Sequence, residues 1–261
     1  MAEYETLRIR RDGGIVHLVL NRADKRNAMS ALMLAELTDF AQTIGADPAT
    51  RAVILSGEGD VFCAGGDLDW MMAQITADRA GRMREARKLA QMLRALNEMP
   101  APLIGAVHGG AFGGGVGLAC VCDVAIAAQG ARFGFTETRL GLIPATIGPY
   151  VMARIGEGMA RRVFMSARLF EADEAAELGV VARVVGAQDL QDAARAEAEP
   201  YLSVAPGAVG AAKAFARSLG PVIDDAVIDE SIRRLADTWE GAEAAEGIDA
   251  FLKKRKASWA T

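Results

Sequence analysis

The chain has 261 residues, 51% of them hydrophobic and 24% charged, and carries a formal net charge of −5. That balance excludes a disordered or fibrous chain and a strongly basic nucleic-acid binder, and it provides enough apolar residues for one sizeable core. The start (MAEYETLRIRRDGG) lacks the apolar centre of a secretory signal, and no uninterrupted apolar run reaches the ~18 residues of a membrane span. In chain order, residues 4–20 read as a hairpin around the Asp12-Gly13-Gly14 turn, with His17 an ordinary strand residue in its second arm. Leu34, Leu37, Phe40, Ala41 and Ile44 recur at helical spacing, so the pattern predicts a helix over 30–44 with Ser30 as N-cap. Short apolar runs predict buried strands at 52–55, 103–107 and 121–127, and a long charged helix covers 78–98. A helix also opens after Asp67, whose carboxylate is an apt N-cap, and another near Gly114. From about Glu171 the pattern is mostly helical with one strand near 180–185. Strands and helices alternate, so the class is α/β. Residues 1–204 form the core in this reading, and 205–261 a helical, amphipathic region.

The three cysteines (Cys63, Cys120, Cys122) and two histidines supply no common metal spacing, and a reducing compartment suits them. Together with the missing signal and span, this predicts a cytoplasmic protein with no membrane partner. Cys63 has no neighbouring base in sequence and reads as a small buried filler; His108, at a strand end, reads as a structural histidine.

Glycine is enriched, 28 of 261 residues or about 11% against a usual ~7%. Two glycine clusters follow predicted strands: Val61-Phe62-Cys63-Ala64-Gly65-Gly66-Asp67-Leu68, and His108-Gly109-Gly110-Ala111-Phe112-Gly113-Gly114-Gly115-Val116-Gly117-Leu118. There is no G-x-x-x-x-G-K-[ST], no G-x-S-x-G, and the second cluster fails G-x-G-x-x-G because its sixth position is Leu118. Glycine lets a ligand approach backbone closely, and the first turn of a helix has unpaired N–H groups. Two such loops suit an oxyanion hole, two N–H groups aimed at one oxygen that becomes negative. Tight packing of helix on sheet explains the glycines equally well. A third segment, Phe133-Gly134-Phe135-Thr136-Glu137-Thr138-Arg139-Leu140-Gly141-Leu142-Ile143-Pro144, sets Glu137 among apolar residues, where a raised pKa suits proton transfer near neutrality. A surface pairing of Glu137 with Arg139 is the alternative.

Taken together, F-C-A-G-G-D-L, A-V-H-G-G-A-F-G-G-G-V-G-L-A and F-T-E-T-R-L-G-L-I-P resemble the enoyl-CoA hydratase/isomerase (crotonase) superfamily. Asn21–Met29 is similar to its CoA-side loop and Glu246–Trp259 to its C-terminal helix, so the likeness runs almost the whole chain. It implies a crotonase (ClpP-like) fold of repeated ββα units, a C-terminal helical trimerisation region, and a trimer or dimer of trimers. It implies Ala64 and Gly114 as the N–H donors to a thioester oxygen, and Glu137 as the residue that moves the proton. It places Lys25, Arg26, Ala28, Gly65, Gly66, Asp67, Leu68, Gly113 and Gly117 around the acyl-CoA, with Phe251 and Lys254 where a neighbouring subunit touches CoA. No metal or redox cofactor is implied, because CoA arrives as part of the substrate.

One position departs from the pattern. The hydratases' first catalytic glutamate falls three residues after the second glycine of the triplet, and here that residue is Gly117. Residues 66–71 and 137–151 resemble the bacterial methylglutaconyl-CoA and isohexenylglutaconyl-CoA hydratase branch, whose members hydrate branched glutaconyl thioesters in leucine or acyclic-terpene breakdown. That resemblance implies a hydratase with a cation meeting the substrate's distal carboxylate. A single glutamate also suits a double-bond isomerase. The remaining alternative is a catalytically weak acyl-CoA or RNA-binding relative, which the acidity disfavours.

Overall fold

The structure is a computed structural model that describes residues 4–261. Its main sheet has six strands in the order β1 (Leu7–Asp12), β2 (Ile15–Leu20), β3 (Ala52–Gly57), β4 (Leu103–Val107), β6 (Val124–Ala128) and β9 (Arg183–Val185). A smaller sheet holds β5 (Gly110–Phe112), β7 (Arg132–Gly134) and β8 (Leu169–Glu171). The first pair is the expected hairpin, turned at Gly13 with φ 58°, and every later pairing in the main sheet is parallel.

Parallel strands are covered on both faces, which explains the unbroken apolar runs. Val16, Leu18, Leu20, Val53, Leu55, Leu103 and Val107 face α1 (Ala31–Gln42), α3 (Arg79–Glu98) and α4 (Gly114–Val121) in the larger core. The alternate residues Ile15, Ala52, Ile54, Ile104, Ala106 and Ile126 meet Leu190, Ala194 and Ala198 of α7 (Leu190–Ala198). Ser30 caps α1 by accepting from Met33 N–H at 3.3 Å, and Asp78 caps α3 by accepting from Gly81 N–H at 2.7 Å. His17 lies half-buried within β2 as a strand residue, with its Nε2 unpartnered among the described residues.

The strand expected over 121–127 is corrected. Helix α4 runs on through Val121, and the strand begins only at Val124. The sequence reading also missed the whole small sheet and α5 (Gly148–Val163). The small sheet decides how the site forms. After β3, β4 and β6 the chain makes a second, shorter extended segment before its next helix. These segments pair side by side in parallel, Cys63 opposite Ala111 and Ala111 opposite Phe133. Turns from three distant stretches of sequence are thereby placed abreast.

The C-terminal region forms α8 (Pro206–Ser218), α9 (Asp225–Trp239) and α10 (Ala242–Leu252). It packs on its own chain. Ile228 and Ile232 of α9 cluster with Ala86 and Ala90 of α3, and Arg79, Arg87 and Arg94 pair with Asp237, Asp229 and Asp225 at 2.6 Å each. Helix α10 presses on the turn at Glu137–Leu140, and a methyl group on Gly247 would stand 2.5 Å from the Leu140 carbonyl carbon. Among the described residues no helix is long and apolar enough to cross a membrane, and no cluster of three or more His, Cys, Asp or Glu is placed to hold a metal ion.

Candidate active site

The first turn leaves the small sheet at Cys63. Cys63 N–H donates to Gly110 O and Phe112 N–H to Cys63 O, both at 3.1 Å. This locks the two glycine turns together. A methyl group on Gly65, whose φ is 96°, would lie 2.7 Å from the Phe112 carbonyl oxygen and 3.8 Å from Gly114 N. Only glycine fits so close an approach at that backbone conformation.

The expected donor Ala64 is corrected here. Its N–H donates to the Arg26 carbonyl at 3.0 Å and is not free for a ligand. The Gly65 N–H faces the Cys63 thiol. The Gly66 and Gly114 N–H groups donate to no acceptor among the described residues. The register explains the pairing, because Gly66 lies three residues beyond Cys63 and Gly114 three beyond its partner Ala111. Glu137 lies four beyond Phe133, the next partner in the row. Sequence spacing alone could not distinguish Ala64 from Gly66, since the choice depends on which peptide the Arg26 loop takes.

That loop is tightly tied. Arg26 and Asn27 both sit in the left-handed region, with φ 52° and 53°. The Asn27 side chain donates to Glu58 O and Val61 O at 2.8 Å and accepts from Arg22 N–H at 2.9 Å. Met29 N–H donates to Gly65 O at 2.8 Å and Asp67 N–H to Met29 O at 3.1 Å, so Gly66 is held from both sides. Asp67 accepts from Asp69 N–H at 2.8 Å, capping α2 (Leu68–Thr76) as expected, and also pairs with Arg22 at 2.7 Å. Burial pushes the Asp67 carboxyl up, but Arg22 and the capping N–H groups outweigh it and hold it below its usual range. Arg22 was not singled out in the sequence reading. Its signal, a basic residue in the loop, was assigned only to Lys25 and Arg26.

Lys25 and Arg26 are exposed and make no ion pair among the described residues, while Ala28 is buried with its carbonyl accepting from Arg22 at 2.5 Å. Leu68 is exposed at the start of α2. Phe251 and Lys254 point to solvent beyond or at the end of α10.

Gly113 has φ 49° and precedes α4. A methyl group there would stand 2.9 Å from Glu137 Oε1, so the carboxylate lies directly over the turn that presents Gly114 N–H. Glu137 opens a short 3-10 turn (Glu137–Leu140), and Oε2 is sealed from solvent without a hydrogen-bond partner. Burial lifts its pKa from 4.5 to about 7. The alternative pairing with Arg139 does not occur, as Arg139 is exposed and makes no ion pair among the described residues. Gly117, expected to face substrate, is covered instead. A methyl group there would meet Ile147 Cγ2 at 2.5 Å and Leu93 Cδ2 at 3.7 Å. An apolar wall occupies the place of a second carboxylate.

Burial raises the thiols of Cys63, Cys120 and Cys122 to about 12, which keeps them neutral. His108 Nε2 sits 2.8 Å from Gly59 O in a structural contact. A cavity of about 910 Å³ lies at the other end of α4, lined by Cys122, Tyr150, Arg154, Lys213 and Arg217, and no residue of the three turns lines it.

The enoyl-CoA hydratase/isomerase family sequence profile matches residues 10–261. A crotonyl-CoA hydratase from Syntrophomonas wolfei is 35% identical over 263 residues, covering 98% of each chain. Among solved structures, Pseudomonas aeruginosa AtuE superimposes with a TM-score of 0.81 at 38% identity, over 98% of this chain and 100% of that one. An enoyl-CoA hydratase from Shewanella pealeana gives 0.80 at 35% identity, over 98% and 97% of the two chains.

Proposed function

Because the chain belongs to the enoyl-CoA hydratase/isomerase family, we propose that it adds water across the α,β-double bond of an acyl-CoA thioester. The observation that carries this reading is the buried Glu137 carboxylate, with a pKa near 7, standing over the turn that offers the unpaired Gly114 N–H. The thioester oxygen accepts from Gly66 and Gly114 N–H. As negative charge builds on that oxygen, each preorganised donor contributes a few kcal/mol, about 2.7–4 where one has been removed from such a hole. Glu137 takes a proton from water as the water oxygen bonds to Cβ and the π electrons move onto the thioester oxygen. The neutral Glu137 then returns that proton to Cα as the enolate collapses. One carboxylate with both forms populated near pH 7 serves first as base and then as acid. Lys25 and Arg26, exposed and in no ion pair among the described residues, suit CoA phosphates, and the Ala64–Arg26 bond ties their loop to the thioester-binding turn. No separate cofactor enters this scheme.

The likeness of residues 66–71 and 137–151 to the glutaconyl-CoA hydratase branch supports a branched glutaconyl substrate. Arg139, exposed, in no ion pair among the described residues and two residues from Glu137, is suited to its distal carboxylate. A subunit interface on the C-terminal region fits the exposure of Phe215 and Leu219, 65% and 72%. Light scattering is expected to give a trimer or dimer of trimers, and a monomer in wild type would remove that part of the reading.

Isomerisation is the second reading, favoured by the apolar wall over Gly117, since moving a double bond needs one base and no water. Turnover of a panel of enoyl- and glutaconyl-CoA esters in heavy-oxygen water separates the two. Label in the product carries hydration, whereas hydrogen exchange with no oxygen label would replace it with isomerisation.

A further inference from the structure

The segment that carries the proton-transfer group holds two buried oxygens without partners, one of them the group's own. Among the described residues five buried side-chain polar atoms have none: His17 Nε2, Arg51 Nε, Gln74 Oε1, Glu137 Oε2 and Thr146 Oγ1. Only Glu137 and Thr146 share one segment, the stretch that leaves β7 and enters α5. Thr146 is 4% exposed, and the N–H groups of Thr146 and Ile147, leading into α5, donate to nothing among the described residues. A helix start with unpaired N–H groups and a buried, unpaired hydroxyl is a polar position enclosed by apolar walls. Buried waters fill such positions and make about three hydrogen bonds.

The segment also spans the right face of α4. Glu137 lies against Gly113, and Ile147, next to Thr146, lies against Gly117. Gly117 N–H donates to Gly113 O at 3.2 Å, so the two glycines are one helical turn apart on one face. A turn rises about 5.4 Å, so the segment sets Glu137 at the Gly113 end of this face and brings the chain at Thr146, next to Ile147, to its Gly117 end.

We propose that Thr146, through Oγ1, positions the reacting water against Glu137 and so supplies what Gly117 cannot. This rests on the hydration reading. Thr146 accepts from or donates to the water and orients a lone pair toward Cβ, while Glu137 alone takes and returns the proton. It is a positioning residue, and proton exchange at Cα does not require it.

The test compares Thr146→Val and Thr146→Ser with wild type on two probes. The first is hydration of crotonyl-CoA in heavy-oxygen water, and the second is deuterium exchange at Cα of butyryl-CoA, which has no double bond to hydrate. In Thr146→Val, kcat for hydration is expected to fall roughly 10-fold or more with KM little changed, since a reacting water held out of line loses rate through orientation. Thr146→Ser restores it, and Cα exchange stays at the wild-type rate. The melting temperature should change little, because the exchange keeps the side chain's shape and removes one water-mediated hydrogen bond. Unchanged hydration in Thr146→Val, or Cα exchange falling in step with it, overturns the proposal. Wild type that exchanges Cα deuterium yet incorporates no heavy oxygen overturns the hydration reading, and the proposal with it.

Discussion

At the scale of single residues, the decisive fact is that the half-buried Glu137 has its Oε2 sealed from water and no charge partner among the described residues. Desolvation disfavours its ionised form, so its pKa rises from 4.5 to about 7. Stability from this group is fully present below about pH 4.5 and is lost as pH rises through 7, because the folded state holds a proton the unfolded chain has released. The full shift corresponds to about 3 kcal/mol at most. Glu137→Gln should therefore lose turnover by roughly 10²-fold or more while keeping acyl-CoA binding. Urea unfolding should show the variant gaining on wild type between pH 5 and pH 8, and equal midpoints across that range would mean the carboxylate is solvated. Hydration by wild type should rise with an apparent pKa near 7. Gly113 tests the same contact from the other side. Gly113→Ala forces a methyl group into the left-handed region and to 2.9 Å from Glu137 Oε1, so both a loss of about 1–2 kcal/mol and a displaced pH profile are expected.

At the scale of elements, α2 begins where the thioester-binding turn ends, and one carboxylate serves both. Asp67 caps α2 and holds Arg22, whose guanidinium also reaches Ala28 O. Asparagine keeps the cap but not the ion pair, and alanine keeps neither. Asp67→Ala is expected to be less stable than Asp67→Asn by about 1 kcal/mol, the worth of an N-cap. Both should lower kcat, because the Gly66 peptide loses its brace, and thermal melts with steady-state kinetics on the pair separate the two effects. Equal stability would show that the cap contributes nothing. The motif at 62–68 was visible in the sequence, yet the assignment of Ala64 as donor failed, since a neighbouring loop decides which N–H stays free.

At the scale of the whole molecule, the C-terminal helices are held by two small apolar clusters, Ile228 and Ile232 against α3 and Trp239, Ala244 and Ile248 against Leu142, and by a row of exposed ion pairs. Exposed pairs contribute about 0–1 kcal/mol, so Arg87→Ala should barely change stability. Ile232, fully buried against Ala86 and Ala90, is different. Ile232→Ala is expected to cost about 2–5 kcal/mol, read as a lowered urea midpoint. Because α10 presses on the turn that carries Glu137, turnover should fall as well. Full activity in a destabilised Ile232→Ala would show that the packing of α9 on α3 does not reach the site.

The sequence by itself determined the α/β class, most main-sheet strands, the capped helices and the three stretches that carry the chemistry. Local physics writes those features plainly: apolar runs for strands covered on both faces, oxygen side chains at helix starts, glycines where backbones approach. The tertiary structure alone decided which amides remain unpaired among the described residues, that Ile147 fills the space over Gly117, that Arg139 is exposed and not paired with Glu137, and that Glu137 Oε2 is sealed. Each of these depends on pairing between segments far apart in the chain, above all the Cys63, Ala111 and Phe133 row, whose short strands are too brief to announce themselves. A hydrogen bond from Ala64 to Arg26, like the burial of a carboxylate, exists only after those segments have met.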